Sequence, residues 1–251
     1  MIRAAAVLAL TACGTTGGNS VTFDVAAAGP VGGIGGFDNN FGWHVTLDKA
    51  HLHVGAIYLD LAVPISGAQS TSCILPGIYT AEELSGIDVD VLSPELQSFP
   101  TRGEGTDDEA RTGEVWLVGS DINAGTDVDP ATGQPTVVAS VSGTASNALL
   151  AINFSATVTV GSNRAIVSSD PSMPSAHPIC KQRIVTPIPI DLAPIQDGTL
   201  VLRIDPRLWV QQVDFSGLAP PSAIPDDNST TASQALFTGI HGPAAFDLSF
   251  E

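Results

Sequence analysis

Basic residues are scarce in this chain: 9 lysines and arginines stand against 26 aspartates and glutamates, and only Lys49 and Lys181 are lysines. The formal net charge of -17 repels phosphate backbones and anionic headgroups, which excludes nucleic-acid binding. Charged residues of both signs are 14% of the 251 residues and hydrophobic ones 43%, so a large core is available and global disorder is excluded. No run after the N-terminal leader reaches the roughly eighteen apolar residues of a transmembrane helix. A nucleophile elbow GxSxG, a zinc-protease HExxH, a P-loop and a GxGxxG placed between strand and helix are all missing. The chain is therefore expected not to be an enzyme. Helical periodicity is confined to residues 80–84 and 229–239.

What is present begins with an export leader. Residues 1–12 carry one positive charge at Arg3 and a short apolar stretch, then Leu10-Thr11-Ala12-Cys13, the order of a secretory signal. This tetrapeptide resembles the lipobox of bacterial lipoproteins. The resemblance implies a diacylglycerol on Cys13 and removal of residues 1–12; residues 13–20 then read as lipidated cysteine and flexible tether, and the length suits one domain over residues 21–251. The mature chain is then anchored in the bacterial cell envelope without spanning a membrane. A twelve-residue leader is shorter than the usual length of about 15–30, so translation is expected to start further upstream.

With Cys13 taken by lipid, Cys73 and Cys180 remain as a pair in an oxidising compartment, which reads as a disulfide. In the chain-entropy model such a bridge contributes on the order of 4–5 kcal/mol. A two-thiolate metal site is the alternative, although neither cysteine has a CxxC partner.

Alternating or β-branched runs recur at residues 41–47, 50–63, 113–122, 136–146, 149–160, 183–190, 199–204 and 244–250, separated by turn-rich segments. This pattern predicts an all-β fold, an antiparallel β-sandwich of immunoglobulin-like or related type with one or two short helices. Ser146-Asn147 marks the turn of a hairpin over residues 136–160, and the acidic stretch 104–109 reads as an exposed loop.

Chemistry is concentrated in residues 42–59, which hold three of the 5 histidines. Trp43, Val45 and Leu47 share one phase; Ala50, Leu52, Val54, Ala56 and Tyr58 share the other, so a bulge or turn is required near Asp48-Lys49. A single bulge puts His44, Thr46, His51 and His53 on one polar side. Histidines two apart on a strand stand roughly 6.5–7 Å apart at Cα, near enough to share Zn²⁺ or Cu²⁺. His51 and His53 are thus the candidate core ligands for copper or zinc, with His44, His177 or His241 completing the set. An ordinary solvated strand face is the competing reading. A second candidate, alternating oxygen side chains from Asp121 to Asp129, has the look of a calcium loop but carries Thr132 where an EF-hand needs glutamate. A hairpin turn reads equally there.

Trp43, Trp116 and Trp209 are read as core, with the Trp43-His44 neighbourhood open to a second role. Together with residues 200–215 and 235–251, the 41–59 segment resembles exported MbnP-like proteins associated with copper and methanobactin. That resemblance implies a β-rich, copper-binding protein and assigns no ligand to a numbered position. The functional alternative is a non-catalytic adhesion or assembly lipoprotein that binds an envelope protein or glycan.

Overall fold

Alternation of small polar and apolar residues folds residues 136–160 into the expected hairpin. Its strands pair from Ser146↔Ala151 outwards, and the Asn147 side chain accepts from the amides of Leu149 and Leu150 at 2.9 Å, which closes the connection as an Asx turn. The computed structural model describes residues 17–63, 78–118, 136–160, 184–218, 222–226 and 229–251. Cys13, Cys73, Cys180, His177 and the loop 121–129 lie outside these residues.

The described strands are β1 (Ser20–Ala28), β2 (Phe37–Asp38), β3 (His44–Val54), β4 (Ala56–Asp60), β5 (Tyr79–Glu83), β6 (Ile87–Asp90), β7 (Gln97–Ser98), β8 (Gly103–Thr106), β9 (Ala110–Trp116), β10 (Val137–Ser146), β11 (Ala151–Thr159), β12 (Ile184–Leu192), β13 (Thr199–Ile204), β14 (Ser222–Ile224) and β15 (Phe246–Phe250). They form a 9-stranded sheet in the order β12-β9-β4-β5-β8-β1-β13-β15, with β7 on β1, and a 6-stranded sheet in the order β14-β11-β10-β3-β2, with β6 on β3. The fold is an all-β sandwich. Most pairs are antiparallel, but β1–β13 and β11–β14 run parallel. One core joins Phe23, Leu52, Ile57, Ile152, Leu200 and Phe215, all nearly or fully buried. Burying a side chain of this size contributes roughly 1.5–3 kcal/mol.

Two helices close one flank: α1 (Arg207–Val210) and α2 (Thr231–Ile240). Thr230 and Ser233 form a reciprocal capping box at the start of α2, which satisfies amides that helix geometry leaves unpaired. The other expected helix does not form. Residues 80–83 belong to β5, because Thr80 and Ala81 bury between β4 and β8, where sheet pairing outweighs a weak helical preference.

Three further expectations are corrected by packing. The tether ends sooner than Ser20: the Gly18 amide donates to Asp108 at 3.0 Å and the Asn19 amide to Asp107 at 2.6 Å, and Ser20 opens β1. The acidic stretch 104–109 is partly strand, since β8 pairs with both β1 and β5. The run 50–63 is two strands, broken at Gly55, where the chain leaves one sheet for the other and the Gly55 amide donates to the Trp116 carbonyl at 2.7 Å.

Candidate functional site

The parity change near Asp48 is a β-bulge. Opposite β10, Ser142 pairs with Lys49 and Gly143 with Leu47, leaving Asp48 as the extra residue. Gly143 is required there, because a Cβ would lie 2.1 Å from the Thr46 carbonyl oxygen. With the phase restored, Val45, Ala50, Leu52 and Val54 bury while His44, Thr46 and His51 are exposed and His53 is half-buried. The polar face read from the sequence is present.

What stands across from the histidines was not read from the sequence. Strand β6 pairs antiparallel with β3 so that His51 faces Asp90 and His53 faces Asp88. Directly opposed residues share a face, so a His-x-His strand lies against an Asp-x-Asp strand. His53 Nδ1 is 2.7 Å from Asp88 Oδ1. With that nitrogen donating to the carboxylate, Nε2 is left as the coordinating atom, the arrangement by which carboxylates orient ligand histidines. Asp90 is held in place by its neighbours: it accepts from the Leu92 amide at 3.0 Å, and its own amide donates to Gln97 at 2.9 Å. The period of two in Asp88-Val89-Asp90 mirrors that of His51-Leu52-His53, and this was the available signal.

Of the completing ligands, His44 and His241 do not join the pair, and His177 lies outside the described residues. His44 sits at the far end of β3, roughly 20 Å from His51 at about 3.3 Å per residue. Its Nδ1 pairs with Asp38 at 2.8 Å, and its ring lies on the Gly36 backbone so closely that a Cβ there would be 2.5 Å from Nε2. His241 caps α2: Nδ1 is 2.8 Å from the Phe237 carbonyl oxygen and the ring stacks on Phe237 at 3.9 Å. Among the described residues, no three of His, Cys, Asp and Glu gather closely enough to hold a metal ion. Trp43 points away from His44 into the core, 2% exposed and edge-on to Phe215 at 5.7 Å. Trp116 and Trp209 are likewise buried.

A second group went unnoticed in the sequence because the step between sheets at Gly55 reverses parity. Ile57 and Leu59 enter the main core, whereas Ala56, Tyr58 and Asp60 face the outer side of the 9-stranded sheet. Across β4 and β9, Tyr58 stands opposite Glu114 and Asp60 opposite Thr112. Asp60, Glu114 and Thr112 are 0% exposed. Burial pushes the Asp60 carboxyl up to about 7; burial, then repulsion from Asp60, pushes Glu114 up to about 7. Tyr79 is raised by burial and by the charges of Glu114 and Asp60. Tyr58 packs on Trp116 at 5.5 Å and on Tyr79 at 4.8 Å. The signal in the sequence was polar residues at every second position of apolar strands, Tyr58-Leu-Asp60 and Thr112-Gly-Glu114-Val-Trp116.

Fold and site together define a β-sandwich with an opposed histidine–aspartate ladder on one sheet and a buried carboxylate pair on the other. In comparisons with known proteins, no family model, no curated protein and no solved structure matches the chain. No described helix is long and apolar enough to cross a membrane.

Proposed function

We propose that this chain is an exported lipoprotein, anchored in the bacterial cell envelope through Cys13, that binds copper or zinc at His51 and His53. The observation that carries the reading is the register of β3 on β6, which sets His51 against Asp90 and His53 against Asp88. Two imidazoles suit a borderline transition metal, and Asp88 keeps Nε2 of His53 available to it. The remaining coordination positions stay open to water or to a donor from a partner, as a carrier that passes its metal on requires. The acidic surface concentrates cations around the site, and the likeness of residues 41–59 to MbnP-like copper-associated proteins points the same way.

The test is elemental analysis of the chain from Gly14 onward, exported to a periplasm supplied with copper and zinc, beside a His51→Ala/His53→Ala variant. Near-stoichiometric metal in the parent and none in the variant is expected; an empty parent rules the reading out. The anchor is tested separately, since a Cys13→Ser variant is expected to leave the membrane fraction.

A second reading, docking on another envelope protein, is favoured by apolar side chains at one end of the 6-stranded sheet. Leu149 at the hairpin tip is 95% exposed and Phe41, just before β3, is 53% exposed; the pairing of Ser146 with His44 places both at that end. Loss of a crosslinked envelope partner in a Phe41→Ser/Leu149→Ser variant with unchanged metal content would favour this reading.

A further inference from the structure

We propose that Asp60, Glu114 and Thr112 form an oxygen-lined site for a hard divalent cation, calcium by its donor set, on the outer face of the 9-stranded sheet. The site is separate from the histidine ladder, which lies on the other sheet, and does not depend on it.

The argument starts from unmet bonding. Both carboxylate oxygens of Asp60, Oε1 of Glu114 and the Thr112 hydroxyl are buried and find no hydrogen-bond partner among the described residues. Trp116 Nε1 donates to the other Glu114 oxygen at the long distance of 3.3 Å, and Thr186 approaches Glu114 from β12 without completing a hydrogen bond of ordinary geometry. Among the described residues no lysine, arginine or histidine pairs with either carboxylate. Buried polar groups in folded proteins are almost always satisfied, and two unpaired carboxylates side by side are costly twice, in hydration and in repulsion.

Protonation removes only one of those costs. A carboxyl that takes up a proton becomes a donor and still needs an acceptor, yet no hydrogen bond joins Asp60 to Glu114 or to any described residue. A cation meets both needs, since it neutralises the pair and occupies several lone pairs together. Asp60 and Glu114 are diagonal neighbours across β4 and β9, roughly 7–8 Å apart at Cα, a spacing that lets two carboxylates reach one ion.

Donor type sets the class of ion. Carboxylate and hydroxyl oxygens select hard cations over copper or zinc. Calcium accepts irregular sets of about 6–8 oxygens and fills vacancies with carbonyls or water, whereas magnesium demands near-octahedral order. Electrostatics supply the approach. Beside the pair lies a groove of about 450 Å³ lined by Tyr79, Glu82, Glu104 and Thr22. In cross-strand register Glu114, Tyr58, Glu82 and Glu104 form one row over four strands, a negative path that draws a cation inward.

The experiment uses the full chain, stripped with chelator, unfolded, and refolded with and without calcium so that access to the buried site is not limiting. Calcium content is measured after gel filtration. Terbium, which replaces calcium and is excited through nearby tryptophan, reports position. One calcium per chain, sensitised terbium emission that calcium displaces, and affinity reduced on the order of a hundredfold in Asp60→Asn/Glu114→Gln are expected. No calcium or terbium in the refolded parent, or equal binding by the double variant, overturns the proposal. Unchanged calcium in His51→Ala/His53→Ala is also expected, so this site and the histidine site fail independently.

Discussion

His53 stands opposite Asp88 across the β3–β6 pair, with Nδ1 2.7 Å from the carboxylate. Asp88 is largely exposed and His53 about a third exposed, so as a plain surface ion pair the contact contributes little to stability. Its weight is in orientation. Asp88→Asn is expected to leave the unfolding midpoint almost unchanged and to weaken copper or zinc binding by roughly 10–100-fold. Competition titration against a chelator of known affinity measures this; equal loss of metal and of fold would mark Asp88 as structural.

Asn39 connects the first turn of the 6-stranded sheet to the helical flank. It is buried; its amide group donates to the carbonyls of Val213 at 2.7 Å and Val210 at 3.3 Å, while its oxygen accepts from the amides of Phe41 and Trp43. Replacing it by alanine leaves two donors and two acceptors to find new partners. A loss of about 2–4 kcal/mol is expected, read from urea unfolding. Asn39→Asp, which keeps the acceptor and loses the donor, is expected to be nearly as damaging.

Acid should stabilise the metal-free protein around the buried carboxylates. Asp60 and Glu114 rise from 3.8 and 4.5 to about 7 on folding, so between these values the native state holds protons that the unfolded chain has released. Stability from these groups is then fully present below about pH 4 and is lost progressively as pH rises through about 7. Asp214, lowered by hydrogen bonds from Ser216 and Trp43, acts with the opposite sign and only at lower pH. Unfolding free energies from pH 5 to 8 are expected to fall in chelator, to flatten in Asp60→Asn/Glu114→Gln, and to flatten with calcium.

Close approach at the bulge gives a steric test. A Cβ on Gly143 meets the Thr46 carbonyl at 2.1 Å and Leu47 Cα at 3.0 Å, both backbone atoms that cannot swing aside. Gly143→Ala is expected to cost about 1–3 kcal/mol and to disturb the register that holds His51 outward. A midpoint matching the parent would show that β10 and β3 separate more easily than their pairing suggests.

Much of the sandwich was legible because strand periodicity is local. The hairpin 136–160, the strand 199–204, the bulge near Asp48 and the outward histidines all follow from alternation and turn residues, which record which face of a strand is wet. Strand β1 escaped that reading: Ala26, Ala27 and Ala28 are all buried, and a strand covered on both faces does not alternate.

By itself, the sequence determined the class of fold, the acidic character and the alignment of His51 with His53, since each depends on residues close in the chain. Only the tertiary structure decided which chemistry those residues meet. Asp88 reaches His53 from 35 positions away, and Asp60 comes beside Glu114 because the chain changes sheets at Gly55 and turns Tyr58 and Asp60 outward. Pairing register and sheet assignment are set by long-range packing of whole strands, and no local pattern encodes them.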